Sequence, residues 1–211
     1  LFRSYSNLDL NNMKKTNYFL NFIKSYKNIF FKVFLFELFF SIKFKDFFDN
    51  IVIHNNKHRT DTVPCIYYFL FKISKFIKKE KIKSIIDIGS GLGRVINYIY
   101  HQNKIKCHGI EFDKNTYKKS LKLSNKKIKI YNGDAFEFDF NKTKFECFIL
   151  VDPFKKNNHK KKFFYKISKL KQKKKFVITV NFKQILVPKQ FKIVYSLIAG
   201  KERSLKIYKF I

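Results

Sequence analysis

The 211-residue chain has no tryptophan, one methionine, three cysteines, six glycines and only fifteen acidic residues. The three cysteines, Cys65, Cys107 and Cys147, stand far apart, the last two in apolar runs, so they read as reduced core residues of a cytoplasmic protein. Histidines do not supply a metal set. His54 and His58 have helical spacing, but Asn55 stands where a zinc protease needs its glutamate, and His101, His108 and His159 have no partners in the pattern. No metal is expected.

Long apolar runs are also missing. Aromatic and aliphatic residues dominate from Tyr18 to Phe48, yet Lys24, Lys27, Lys32, Glu37, Lys43 and Lys45 interrupt every window, so nothing approaches the ~18 residues of a membrane span. Nor does a signal-peptide core follow Met13-Lys14-Lys15. Leu1 to Asn12 is polar and starts without methionine, as an upstream or alternative start would leave it, and is expected to be a mobile tail. The aromatic region that follows is expected to form one or two amphipathic helices packed on the main domain, with peripheral membrane contact as the alternative.

Arginine is nearly absent. The formal charge is +31, but only Arg3, Arg59, Arg94 and Arg203 among the 46 basic residues are arginine, and a phosphate-reading surface favours arginine forks. Lysine-rich surfaces with abundant Asn, Ile and Phe are what an AT-rich genome writes. The charge still implies salt-sensitive, nonspecific attraction to nucleic acids and anionic membranes.

Against this background, three of the six glycines crowd into Ser84-Ile85-Ile86-Asp87-Ile88-Gly89-Ser90-Gly91-Leu92-Gly93-Arg94, an apolar strand entering a glycine turn. Glycines let a backbone approach a ligand closely, and the amides that open the next helix present donors. A nicotinamide-binding loop requires a small residue at the sixth position counted from Gly89, where this chain has Arg94. A glycine turn with no cofactor is the bland alternative. Downstream, strands are predicted near Ile82–Asp87, Ile105–Glu111, Ile128–Tyr131, Phe145–Val151 and Phe176–Val180. Helices are predicted near Arg94–His101, Asn115–Leu123 and Lys160–Leu170. Such alternation implies a parallel sheet covered on both faces. Phe191–Ala199 and Ser204–Phe210 follow as an antiparallel pair around Gly200-Lys201-Glu202.

The glycine turn resembles the cofactor loop of class I S-adenosylmethionine-dependent methyltransferases, and the resemblance spans about Ser84 to Ile211. Val63-Pro64-Cys65-Ile66-Tyr67, Gly133-Asp134-Ala135 and Val151-Asp152-Pro153-Phe154 are similar to a bacterial group with a V-P-T-P-Y-like segment before the first strand and N-P-F after the fourth. Cys65, Ile66 and Asp152 depart from that pattern. The resemblance implies a Rossmann-like α/β fold with a mostly parallel seven-stranded sheet and an antiparallel last strand. The implied organisation is a tail (1–12), a helical cover (13–80) and a cofactor domain (81–211).

The few acids become legible on this frame: Asp87, Glu111, Asp134 and Asp152 each end a predicted strand, at the edge where open α/β sheets bind ligands. The resemblance implies that Gly89, Ser90, Gly91 and Gly93 form the cofactor loop. It assigns Asp87 to the methionine amino group, directly or through water, or to bracing the glycine turn, Glu111 to both ribose hydroxyls, and Asp134 with the Ala135 amide to the adenine; a strand-end cap or surface acid is the competing assignment for each. Asp152 is the candidate for orienting or deprotonating the methyl acceptor, with Tyr67 and Phe154 as pocket walls. Pro153 as a strand terminator and Phe154 as core packing are the competing assignments. A small molecule, or a saccharide or lipid precursor, is the expected acceptor. Asp152-Pro153-Phe154 partly matches the [DN]-P-P-[YF] motif of amino-methylating nucleic-acid enzymes, so a nucleic-acid or protein-lysine acceptor stands as a rival, and so does a catalytically silent scaffold.

Overall fold

The computed structural model describes residues 21, 23–44, 64–171, 175–182 and 187–211. The expected tail and the His54/His58 pair lie outside them. A short 3-10 turn (Lys27–Ile29) leads into α1 (Phe30–Phe44), and α2 (Tyr67–Lys79) precedes the sheet. Then come β1 (Ser84–Ile88), α3 (Arg94–Asn103), β2 (Lys106–Glu111), α4 (Lys114–Leu123), β3 (Lys129–Asn132) and β4 (Cys147–Val151). The chain ends with α5 (Asn157–Ser168), β5 (Phe176–Val180), β6 (Phe191–Gly200) and β7 (Arg203–Phe210).

The seven strands order as β3-β2-β1-β4-β5-β7-β6. The first five are parallel, and β7 enters antiparallel between β5 and β6. The order reverses between β1 and β4, which places the ends of β1, β2 and β4 around one crevice, the position where sheets of this kind bind ligands.

Side-chain alternation divides the core in two. Ile85, Cys107, Ile149 and Ile178 face one layer with α1, α2 and α3, while Ile86, Ile110, Phe148 and Val177 face Phe163, Phe164 and Ile167 of α5. All three cysteines are buried and free, and burial pushes the Cys107 thiol up to about 12.

Several boundaries differ from the sequence expectation by two or three residues. Ile82 is not yet strand, because its N–H closes the end of α2 on the Ile77 carbonyl at 3.0 Å. The last helix ends at Ser168 because the wholly buried Lys175 ammonium takes the Leu170 and Ile167 carbonyls, at 2.7 and 3.3 Å, and lies over the Phe210 ring. The expected amphipathic pattern also fails in α1. Val33, Glu37 and Ser41 are buried and Phe36, Phe40 and Phe44 pack beside them, yet the outward side is apolar too. Periodicity does not separate two apolar faces of one helix.

Candidate active site

The glycine turn lies between the ends of β1, β2 and β4. Gly89, Gly91 and Gly93 all have positive φ, at 70°, 54° and 90°. The amides of Gly89 and Ser90 both donate to the Ile110 carbonyl at 2.9 Å, which folds the turn across β2. Gly89 is required on two counts. A side chain is strained at its φ, and a Cβ there would lie 2.7 Å from Pro153 Cβ. Pro153 therefore packs directly on the turn and brings the Asp152-Pro153-Phe154 segment against it.

Asp87, the fourth residue of β1, is 1 % exposed, and its Oδ1 has no hydrogen-bond partner among the described residues. Burial is the main cause that drives its carboxyl well above the usual carboxylate range, and the Glu111 charge adds to it. The buried Ser90 hydroxyl is likewise without a partner. Polar groups this deep are completed by a water, an ion or a ligand.

Glu111 closes the opposite side. Its carboxylate accepts the Gly91 amide at 2.8 Å and the Asp113 amide at 2.9 Å, so one residue ties the glycine turn to the end of β2. Asp134 sits in the loop after β3, where Oδ1 accepts the Phe136 amide at 2.8 Å and shapes the turn carrying the buried Ala135. The predicted cofactor residues Asp87, Gly89, Ser90, Gly91, Gly93 and Glu111 are thus gathered around the turn, with Asp134 and Ala135 on the neighbouring strand end.

On the β4 side, Asp152 adopts a φ of 42°, uncommon for a residue with a side chain. Its Oδ1 forms an ion pair of 2.5 Å with the ammonium of Lys160, whose side chain is 3 % exposed and also lies 4.6 Å from the Phe182 ring centre. Lys160 escaped the sequence reading because it stands in a lysine run, where nothing separates the inward residue from its solvated neighbours.

The two predicted pocket walls fare differently. Phe154 is half-buried and packs on Phe136 and Phe163 at 5.2 and 5.3 Å, beside the site and against α5. Tyr67 is enclosed, not lining open space: it is 1 % exposed, and Phe40, Phe44, Tyr98 and the Arg94 guanidinium surround its ring. Its position at the first turn of α2 turned it into the core.

Glu37 is the other residue that the sequence reading missed. Its Oε2 accepts from Arg94 Nη1 at 2.9 Å and its Oε1 accepts the Tyr67 amide at 2.5 Å. Both side chains of the ion pair are buried. Glu37 therefore joins α1 to the first residue of the helix that follows the glycine turn.

Strand order, turn and acidic strand ends together fix the architecture. This chain has the class I methyltransferase fold. It is similar to YhhF of Escherichia coli, named as a methyltransferase (TM-score 0.58, 12% identity, covering 70% of this chain and 88% of that one). It is also similar to an RNA methyltransferase from Salinibacter ruber in complex with S-adenosylhomocysteine (TM-score 0.52, 17% identity, 70% and 92% covered). A variant of MtNAS in complex with S-adenosylmethionine aligns at TM-score 0.54 and 11% identity over 68% of this chain, which spans only 62% of the MtNAS chain. No protein-family model and no curated protein sequence matches. Among the described residues no group of His, Cys, Asp and Glu could hold a metal ion, and no helix is long and apolar enough to cross a membrane.

Proposed function

We propose that this protein is an S-adenosylmethionine-dependent methyltransferase of the cytoplasm. The observation that carries the reading is the buried Asp87 carboxyl, its Oδ1 without a partner among the described residues, beneath a glycine turn that Glu111 ties to the end of β2. This arrangement fits the cofactor: Asp87 is completed by an ammonium, and Glu111 suits paired hydroxyls because a carboxylate has about four lone-pair sites, so holding two amides is compatible with receiving them. Gly89, Ser90, Gly91 and Gly93 form the cradle, with Asp134 and the Ala135 amide at the adenine end. Bound there, the cofactor supplies a sulfonium methyl group for transfer to a lone-pair nucleophile.

The protein's own contribution is placement and proton handling. Asp152 orients the acceptor or takes the proton that its attacking atom sheds, while the Lys160 ammonium fixes the position of the carboxylate. Much of the catalysis then comes from positioning. A small molecule, or a saccharide or lipid precursor, is the acceptor class we favour, because only four of the 46 basic residues are arginines. The charge of +31 and the Asp152-Pro153-Phe154 match favour a second reading, transfer to a base.

Methyl-labelled S-adenosylmethionine added with separated small-molecule, lipid and RNA fractions of a cell extract distinguishes them. Label in the first two, lost in Asp152→Ala with cofactor binding intact, is expected. Label confined to nuclease-sensitive material, or RNA binding that survives about 200 mM salt, would overturn the acceptor assignment.

A further inference from the structure

The outward face of α1 is apolar along its length. Phe31, Phe34, Leu35, Leu38, Phe39 and Ile42 recur at the three- and four-residue spacing of one helical stripe, and all are exposed, Phe31 by 69 % and Phe39 by 61 %. An uninterrupted patch of this kind on a soluble surface marks an interaction site. It is not the face that serves the fold, since Val33, Glu37 and Ser41 on the opposite side already seat the helix.

The charge around the stripe selects the partner. The sole acid of α1, Glu37, is buried against Arg94, so the exposed charges of the helix are Lys32 and Lys43. Neighbouring α2 contains no acid and adds Lys72 and Lys75. These two lie over the rings of Tyr68 and Phe71, the same rings that Phe36 of α1 packs against at 5.2 Å. Lysines therefore border the stripe along its α2 side, on a chain of formal charge +31. A second copy of the chain would bring like charges together at this face, whereas an anionic bilayer receives the phenylalanines in its acyl boundary and the lysines at its headgroups.

We infer that the exposed face of α1 is a docking surface for anionic membranes, with the helix lying in the plane of the interface. This inference does not rest on the methyltransferase reading, and its test does not use activity. Docking through α1 would place the bilayer beside the helix that Glu37 ties to the cofactor loop.

The absence of tryptophan makes the test direct, because Phe39→Trp introduces a single fluorophore on the stripe. The full chain is mixed with phosphatidylcholine vesicles, with or without about 30 % phosphatidylglycerol, at about 150 mM salt. Cosedimentation with the anionic vesicles and a shift of Phe39→Trp emission to shorter wavelength are expected. The charge-neutral triple variant Phe31→Ser/Phe34→Ser/Phe39→Ser, folded by circular dichroism, should bind at least about tenfold more weakly. Equal binding by the triple variant, or an unshifted emission, would reduce the contact to nonspecific charge attraction and overturn the inference. So would a concentration-dependent dimer abolished by the triple variant, without vesicle binding.

Discussion

Glu37 of α1 and Arg94 of α3 meet at 2.9 Å inside the protein, although 57 residues separate them in the chain. The pair is buried on both sides and its other carboxylate oxygen holds the first amide of α2. One acid thus satisfies a helix N-terminus and neutralises the guanidinium that stacks on Tyr67.

Removing one partner takes the opposite charge out of a buried ion pair. Glu37→Gln is expected to cost about 3–5 kcal/mol of stability, read from the urea midpoint. It should also weaken S-adenosylmethionine binding, because Arg94 directly follows Gly93. Arg94→Met alone should cost a similar amount, and the double variant less than the sum of the two. Strict additivity would show that the pair is not coupled.

Most of the architecture was legible in the sequence. β5 matches its expected span, and the strand ends at Asp87, Glu111, Asp134 and Asp152 fall at one edge of the sheet. Strand alternation and glycine spacing are local signals, and the chain writes them clearly because acids are scarce. Glu37, Lys160 and Lys175 were not legible. Each is a charged residue turned inward by a partner distant in sequence or by carbonyls at a helix end, and no local pattern marks such a turn. Tyr67 fails for the related reason that an aromatic residue before a strand reads alike in a core or a pocket.

Gly89 tests the contact between turn and motif. Gly89→Ala forces a side chain into positive φ and against Pro153 Cβ. A loss of about 1–3 kcal/mol from backbone strain alone is expected. Thermal unfolding checks it, and an unchanged midpoint would mean that neither the positive φ nor Pro153 constrains this position.

His108 should make the fold sensitive to acid. Burial is the main cause that lowers its pKa from 6.5 to about 4, with Lys106 and Lys129 assisting, while its Nδ1 lies 3.1 Å from the Tyr131 hydroxyl. The unfolded chain therefore binds the extra proton between those values, and stability falls as pH drops from 6.5 towards 4. Urea midpoints across this window should show the slope in the parent and a flatter one in His108→Gln.

Asp87 has the opposite sign. Its folded pKa is raised well above 3.8, mainly by burial, so the native state holds the proton more tightly and stability declines as pH rises above that ordinary value. The decline ends once the folded pKa is passed. A cationic amino group beside the carboxyl favours its ionised form, so cofactor binding should release a proton within this window. Calorimetry in two buffers of different ionisation heat reads that release in the parent protein, and apparent binding enthalpies equal in the two buffers would contradict it.

The turn between β1 and α3 is the proposed site of S-adenosylmethionine. Calorimetric titration of S-adenosylmethionine and S-adenosylhomocysteine into the full-length protein, with Glu111→Ala and Asp87→Asn alongside, tests it most directly. Saturable micromolar binding of both ligands by the parent and its loss in both variants are expected; a folded parent protein that takes up neither would overturn the assignment.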